Sequence, residues 1–213
     1  MNNKNYQKEL EDILLQTKQP KTLLLHACCA PCSSYVLEYL SQFFIITLYY
    51  YNPNITNAEE YQRRLDELTR LVSVLPVQNP VRLIAGDYDS DRFSLAAKGL
   101  EQEREGGARC TACYELRLDS TASLAAEQGF DYFTTTLSIS PYKNAAKLND
   151  IGERLAQQYG VAHLPCDFKK RGGYKRSVEL SAQYGLYRQS FCGCIFSAQR
   201  SEPVQSAPPI VRR

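Results

Sequence analysis

The chain has little net charge, no long apolar run and no glycine-rich phosphate loop, and each absence narrows what it can do. Its 213 residues carry a formal net charge of only +2. No overall field marks it as a nucleic-acid binder, so basic patches have to be judged one by one. No apolar stretch approaches the ~20 residues of a membrane span. The first residues, Met1 to Tyr6, are polar and lead into a charged helical pattern, unlike a signal peptide. A cytoplasmic protein without membrane contact is expected. Neither GxGxxG after the first strand nor GxxxxGK followed by Ser or Thr occurs, which sets aside dinucleotide and Walker-type phosphate sites. The length suits one domain able to bury its own core.

What is present is cysteine. There are eight, and seven fall into three tight groups: Cys28, Cys29 and Cys32; Cys110 and Cys113; Cys192 and Cys194. Cytosolic thiols are kept reduced, so grouping of this kind points to metal or redox chemistry. Cys166 stands alone and reads as a small buried side chain.

The chain is organised around residues 26–34, HACCAPCSS, which follow Leu23-Leu24-Leu25 and precede an amphipathic segment. That pattern predicts strand, turn and helix, and thiolates at the start of a helix are favoured by its partial positive charge. Helices are expected over 5–16, 35–43, 57–74 (capped by Asn57), 91–102, from Cys110 onward, up to Tyr159, and over 177–184. Strands are expected over 22–26, 44–51, 81–85, 130–136 and 161–164. The alternation predicts an α/β fold, with a mainly parallel sheet of about five strands and helices on both faces. Residues 1–197 are expected to form one domain. Within it 1–19 is an N-terminal helix and 167–197 a basic segment with the CxC. Residues 198–213 are expected to be a disordered tail. The carboxyl ends of the strands should gather residues 26–32, Asn52, 87–89, 138–140 and 166–168 at one rim.

Cys28, Cys29, Cys110 and Cys113 together can hold a cubane iron–sulfur cluster or a structural zinc, and spacing alone leaves both open. Cys32 can ligate a second metal beside them, with Asp89 or Asp87 as a hard ligand; helix capping is the rival role for each Asp. His26 reads as a half-buried strand-end residue before it reads as a ligand or proton donor. Cys192 and Cys194 can close a small, easily reduced disulfide or add two metal ligands. Residues 168–176 hold five basic side chains interleaved with aromatics. Lys169, Lys170, Arg171, Tyr174, Tyr187 and Arg188 suit phosphate contact and base stacking, or form a solvated loop. Ser138, Ser140, Tyr142, Lys143 and Asn144 can hydrogen-bond a substrate.

Taken together, HACCAPCS (26–33), YYNPNI (50–55), EGGARCTACYELRL (105–118), TTTLSISPYKN (134–144), FKKRGGYKRSVELS (168–181) and YRQSFCGC (187–194) resemble the QueH family of epoxyqueuosine reductases. The resemblance spans about residues 20–197. It implies a HUP-like fold without a phosphate loop, and two-electron removal of the epoxide oxygen of epoxyqueuosine at the tRNA wobble position. It implies a [4Fe-4S] cluster on Cys28, Cys29, Cys110 and Cys113 and a redox-active pair at Cys192 and Cys194. It further implies a second metal, iron in the first instance, with Cys32 and Asp89 as candidates. The partners would be the epoxyqueuosine-bearing tRNA and an unidentified electron donor. The competing readings are a zinc-stapled tRNA-binding module and a thiol oxidoreductase acting without metal.

Overall fold

The computed structural model describes residues 4–201. In order, the elements are α1 (Tyr6–Gln16), β1 (Lys21–His26), α2 (Ala30–Leu40), β2 (Phe44–Tyr50), α3 (Ala58–Val74), β3 (Val81–Ala85), α4 (Ser90–Ala97), α5 (Ala108–Glu127), β4 (Tyr132–Thr135), α6 (Ala145–Tyr159), β5 (Ala162–His163), α7 (Gly173–Gln183) and α8 (Ile195–Ser201). The five strands form one sheet in the order β3-β2-β1-β4-β5. Every pairing is parallel, with His26 opposite both Tyr49 and Thr135.

Period-two alternation along the strands builds two cores. Leu23 and Leu25 of β1, with Phe44, Ile46, Leu48 and Tyr50 of β2, face α1, α2 and α3. Leu24, Tyr49 and Phe133 face α5 and α6. The three leucines of β1 are fully buried, each contributing about 2 kcal/mol of hydrophobic stabilisation. A strand buried on both faces reads as a continuous apolar run, which is why β1 was plain in the sequence.

Several boundaries differ from expectation. Helix α2 starts at Ala30, five residues early: Cys29 is its N-cap, with no side-chain cap bond, and Pro31 occupies the first turn. Proline suits that position because its missing N–H has no intrahelical partner there. Helix α4 ends at Ala97 rather than near 102, and the left-handed Gly99 follows it. Helix α7 begins at Gly173 instead of Ser177. A Cβ there would lie 2.0 Å from the Phe168 carbonyl and 2.4 Å from the Tyr35 ring, so only glycine lets α7 pack this closely on α2. Helix α8 runs through 198–201, where a tail was expected. The rest of that expected tail, 202–213, lies outside the described residues. Among the described residues no helix is long and apolar enough to cross a membrane.

The strand order reverses between β1 and β4. A sheet of this kind opens a crevice at such a switch point, outside the carboxyl ends of its strands. The turn 27–29 follows β1 and a 3-10 turn, Thr136–Ile139, follows β4.

On the edge strand β5, His163 packs on α6: a Cβ on Gly152 would meet its ring at 2.3 Å. Neither ring nitrogen has a hydrogen-bond partner among the described residues. Burial, assisted by the Lys4 charge, lowers its pKa from 6.5 to about 4. The unfolded chain therefore takes up a proton near pH 6.5 that the folded chain refuses, and stability falls as pH drops through that window. Between about pH 7 and pH 5 this residue should remove about 2 kcal/mol. Urea unfolding at the two pH values should show that loss shrinking by a similar amount in His163→Gln; equal pH dependence in both proteins would reject the assignment.

Candidate metal and redox site

At the switch point lies a cavity of about 400 Å³ lined by six cysteines: Cys28, Cys32, Cys110, Cys113, Cys192 and Cys194. Three separated stretches of chain supply them. Cys28, Cys29 and Cys32 come from the β1–α2 turn and the first turn of α2. Their sulfurs all lie within 4.8 Å of one another, with Cys28 and Cys29 3.7 Å apart. Cys110 and Cys113 lie in the first two turns of α5, and the Gly106 N–H donates to the Cys110 sulfur at 3.2 Å. Two helix N-termini therefore bring unpaired N–H groups and partial positive charge to the same cavity. The Cys28 thiol is held well below the ordinary range by the S–H groups of Cys29 and Cys32. Cys29 is pushed up to about 12 by its bond to Cys28, and Cys32 is pushed up as well. Within the trio a thiolate is therefore favoured on Cys28 over its two neighbours.

Cys192 and Cys194 sit with their sulfurs 3.4 Å apart as free thiols. The turn between them needs Gly193, whose φ is +108° and whose Cβ would meet Ile55 at 2.8 Å. The turn is clamped from the other side of the crevice. Arg64 donates to the carbonyls of Cys192 (3.1 Å) and Phe191 (3.3 Å). Asn54 Nδ2 donates to the Cys192 carbonyl at 3.3 Å, and the Thr56 N–H to that of Gly193 at 3.2 Å. Arg64 is only 2% exposed and is itself paired with Glu60 at 2.6 Å. The Cys194 S–H, followed by the Lys143 charge, holds Cys192 well below an ordinary thiol. Cys194 is pushed up in return.

His26 is fully buried rather than half-buried. Its Nε2–H donates to the Tyr51 carbonyl (3.1 Å), and its Nδ1 accepts from the Thr135 hydroxyl (2.8 Å). Burial, then the Arg117 charge, keeps it neutral, with a pKa of about 4. With both nitrogens engaged it braces the ends of β1, β2 and β4. Asp89 caps α4, accepting from the Arg92 N–H at 3.3 Å, and neither Asp89 nor Asp87 lines the cavity. Ser138 and Cys166 lie beneath the rim. The Ser138 hydroxyl donates to the Cys166 sulfur at 3.1 Å, and burial raises that thiol.

Of the expected substrate contacts, Ser140, Tyr142, Tyr174 and Arg188 line the cavity. Lys169, Lys170, Arg171 and Tyr187 do not. Lys169 pairs with Asp167 at 2.6 Å, Arg171 with Glu11 of α1 at 3.0 Å, and Arg176 with Glu38 of α2 at 2.6 Å. Tyr187 bonds Glu60 and lies under Arg63. The basic stretch is thus partly spent on holding α7 to α1 and α2. Lys170 and Lys175 form no ion pair among the described residues.

Sequence reasoning missed Arg64, Arg117, Tyr114 and Gln189, all of which line the cavity. Arg64 had left a trace, a charge among Tyr61, Leu65 and Leu68 on an apolar helix face. Arg117 lies one turn after Cys113, so that spacing placed it beside a ligand.

A family model described as epoxyqueuosine reductase QueH matches residues 23–200. The epoxyqueuosine reductase QueH of Streptococcus pyogenes serotype M1 is 46% identical over 180 residues, covering 84% of this chain and 71% of the relative. That of Staphylococcus epidermidis is 43% identical over 204 residues, 92% and 85% of the two chains. That of Thermotoga maritima is 34% identical over 182 residues, 83% and 90%.

The clamp on the CxC turn can be tested directly. Arg64→Met leaves Glu60 without its buried partner and should cost about 3 kcal/mol of stability. Freed from its carbonyl anchors, the turn should open more often, and alkylation of Cys192 and Cys194 by iodoacetamide under native conditions should accelerate on the order of tenfold, the equivalent of about 1.4 kcal/mol. Unchanged alkylation in a folded variant would show that Arg64 does not hold the turn.

Proposed function

The chain belongs to the QueH family of epoxyqueuosine reductases, and on that premise we propose that it reduces the epoxide of epoxyqueuosine at the wobble position of tRNA, using an iron–sulfur centre held by Cys28, Cys29, Cys110 and Cys113. The observation that carries this reading is the convergence of six cysteines from three segments on one cavity, with Cys29 buried behind the lining within 4.8 Å of Cys28 and Cys32. The donor set fits such a group. Thiolates are the ligands of iron–sulfur clusters, two helix N-termini favour their anionic form, and the buried cations Arg117 and Lys143 face the same space. The compact Cys28, Cys29 and Cys32 trio also suits a single ion, and Cys32 is left over once four thiolates are assigned to a cluster. Asp89 would have to leave its helix cap to join it. When bound, these groups supply one-electron transfer and Lewis acidity toward the epoxide oxygen.

The chain's own residues do the rest. Opening the epoxide to the alkene consumes two electrons and two protons and releases the oxygen as water. Oxidation of the Cys192–Cys194 dithiol to a disulfide releases two electrons and two protons, which balances one turnover. A reductant of the thiol class must then reopen the pair. Lys143 favours Cys192 as the departing thiolate when the reductant's thiolate attacks the Cys194 sulfur. The mouth of the cavity offers Tyr142 (78% exposed) and Tyr174 (37% exposed). Arg188 lies over the Tyr174 ring, 6.0 Å from its centroid. Two aromatic faces and a guanidinium at a cavity mouth suit a base drawn out of its stack. Lys170 and Lys175, in the segment that carries Tyr174 and without an ion pair among the described residues, suit the phosphates of the anticodon loop.

Purified without air, the protein should be brown and carry about four irons and four sulfides per chain; iron in excess of sulfide would mark the second metal. Cys192→Ser should keep the iron and lose turnover with a thiol reductant. A colourless protein with stoichiometric zinc would remove the electron path, and full turnover of Cys192→Ser would remove the pair's role.

A further inference from the structure

Three arginines are buried around the cavity, and two have visible structural employment. Arg64 (2% exposed) has a carboxylate and two carbonyls. Arg109 (3% exposed) donates to the carbonyls of Leu100, Glu101 and Glu103 and ties the 98–107 loop to α5. Arg117 is different. It is 4% exposed and makes no ion pair among the described residues. Its Nε donates to the Cys113 carbonyl at 3.1 Å. Its two terminal nitrogens have no hydrogen-bond partner among the described residues, and the side chain lines the cavity. The Tyr114 ring, 5.8 Å away, is its one aromatic neighbour.

An unpaired buried guanidinium is costly by several kcal/mol, so something anionic has to face it. Glu105, the carboxylate in the lining, is paired with Lys143, and the anion-forming groups within reach of Arg117 are chiefly sulfurs. Cys110, Cys113, Tyr114 and Arg117 follow one another along a single stripe of α5, at i, i+3, i+4 and i+7, and all four line the cavity. Arg117 lies within electrostatic reach of the Cys113, Cys28 and Cys192 sulfurs. Two of these belong to the proposed cluster ligands. Lys143, the other cation at the cavity, has Glu105 at 3.6 Å and is neutralised in part.

We infer that Arg117 is the fixed counter-charge of the thiolate-held centre and raises its reduction potential. The inference rests on the iron–sulfur reading above. Adding one electron to such a centre adds one negative charge inside a low-dielectric cavity, where a fixed cation acts with little screening. A permanent guanidinium, which does not deprotonate, favours the reduced state without moving. Arg117 is thereby an electrostatic positioning residue and takes no proton to or from the substrate.

The test is a dye-mediated dithionite titration of the anaerobically purified protein, followed by electron paramagnetic resonance, with iron and sulfide counted on the same samples. Arg117→Gln should keep its iron and sulfide while its reduction equilibrium shifts at least tenfold toward the oxidised form, about 59 mV more negative for one electron. Arg117→Lys should stay near the parent potential. A fully loaded Arg117→Gln at the parent potential overturns the inference, as does a lysine variant that shifts as far as the glutamine one. Should Arg117→Gln fail to load, the lysine variant decides: loading at the parent potential supports the counter-charge, and failure to load overturns it. A parent protein without iron and sulfide refutes the iron–sulfur reading itself, and that count is made before any variant.

Discussion

The structure depends on one electrostatic constraint: cysteine sulfurs and basic side chains have to share one cavity inside a fold whose core is otherwise leucine and tyrosine. Burying charge without compensation is among the most costly things a protein can do. Here the compensation is built from backbone first and side chains second. The amino ends of α2 and α5 both open onto the cavity. Three buried arginines and Lys143 surround it. The sheet makes this possible by reversing its strand order between β1 and β4, which leaves the crevice where the two helices begin.

That arrangement also explains the work done by residues with no chemistry of their own. His26 is neutral and spent on the Tyr51 carbonyl and the Thr135 hydroxyl, so the turn carrying Cys28 leaves β1 at a fixed angle. Asn52 reaches back to the Ala27 carbonyl at 2.8 Å and fixes the same turn from β2. Across the crevice, Arg64, Asn54 and Thr56 hold the Cys192–Cys194 turn by its carbonyls, leaving the sulfurs unencumbered. Backbone anchoring of this kind fixes the turn without engaging either side chain.

Much of this was legible in the sequence, and the parts that were not share a cause. Strand β1 was plain because three successive leucines end at a histidine. The cap at Asn57 was plain because the side chain, the helix start and the hydrogen bond lie within a few residues; Asn144, read as a substrate contact, caps α6 in the same way. The cysteine groups stood out by spacing. What stayed hidden was non-local or depended on close approach. Arg171 finds Glu11 across 160 positions and Arg176 finds Glu38 across 138, so a stretch that reads as a free basic patch is largely a set of struts. The start of α7 was hidden by a glycine pair that reads as loop but lets the helix touch α2. Arg117 was hidden because a charge on a helix normally faces water, and only the assembled cavity shows that it does not.

The basic segment carries the last step of the argument. If all five of its cations were free, recognition of a nucleic acid would be diffuse and governed by salt. With Lys169, Arg171 and Arg176 engaged in the fold, the groups left at the mouth are Arg188, Tyr142 and Tyr174, while Lys170 and Lys175 lie outside the cavity without an ion pair among the described residues. That is a small number of phosphate contacts beside two aromatic faces. On the proposed reading, such a surface gains less from the backbone than from a base that leaves its stack and enters the cavity. Selection then rests on what the base carries into the site, which is where a reductase for one modified nucleoside has to make its choice.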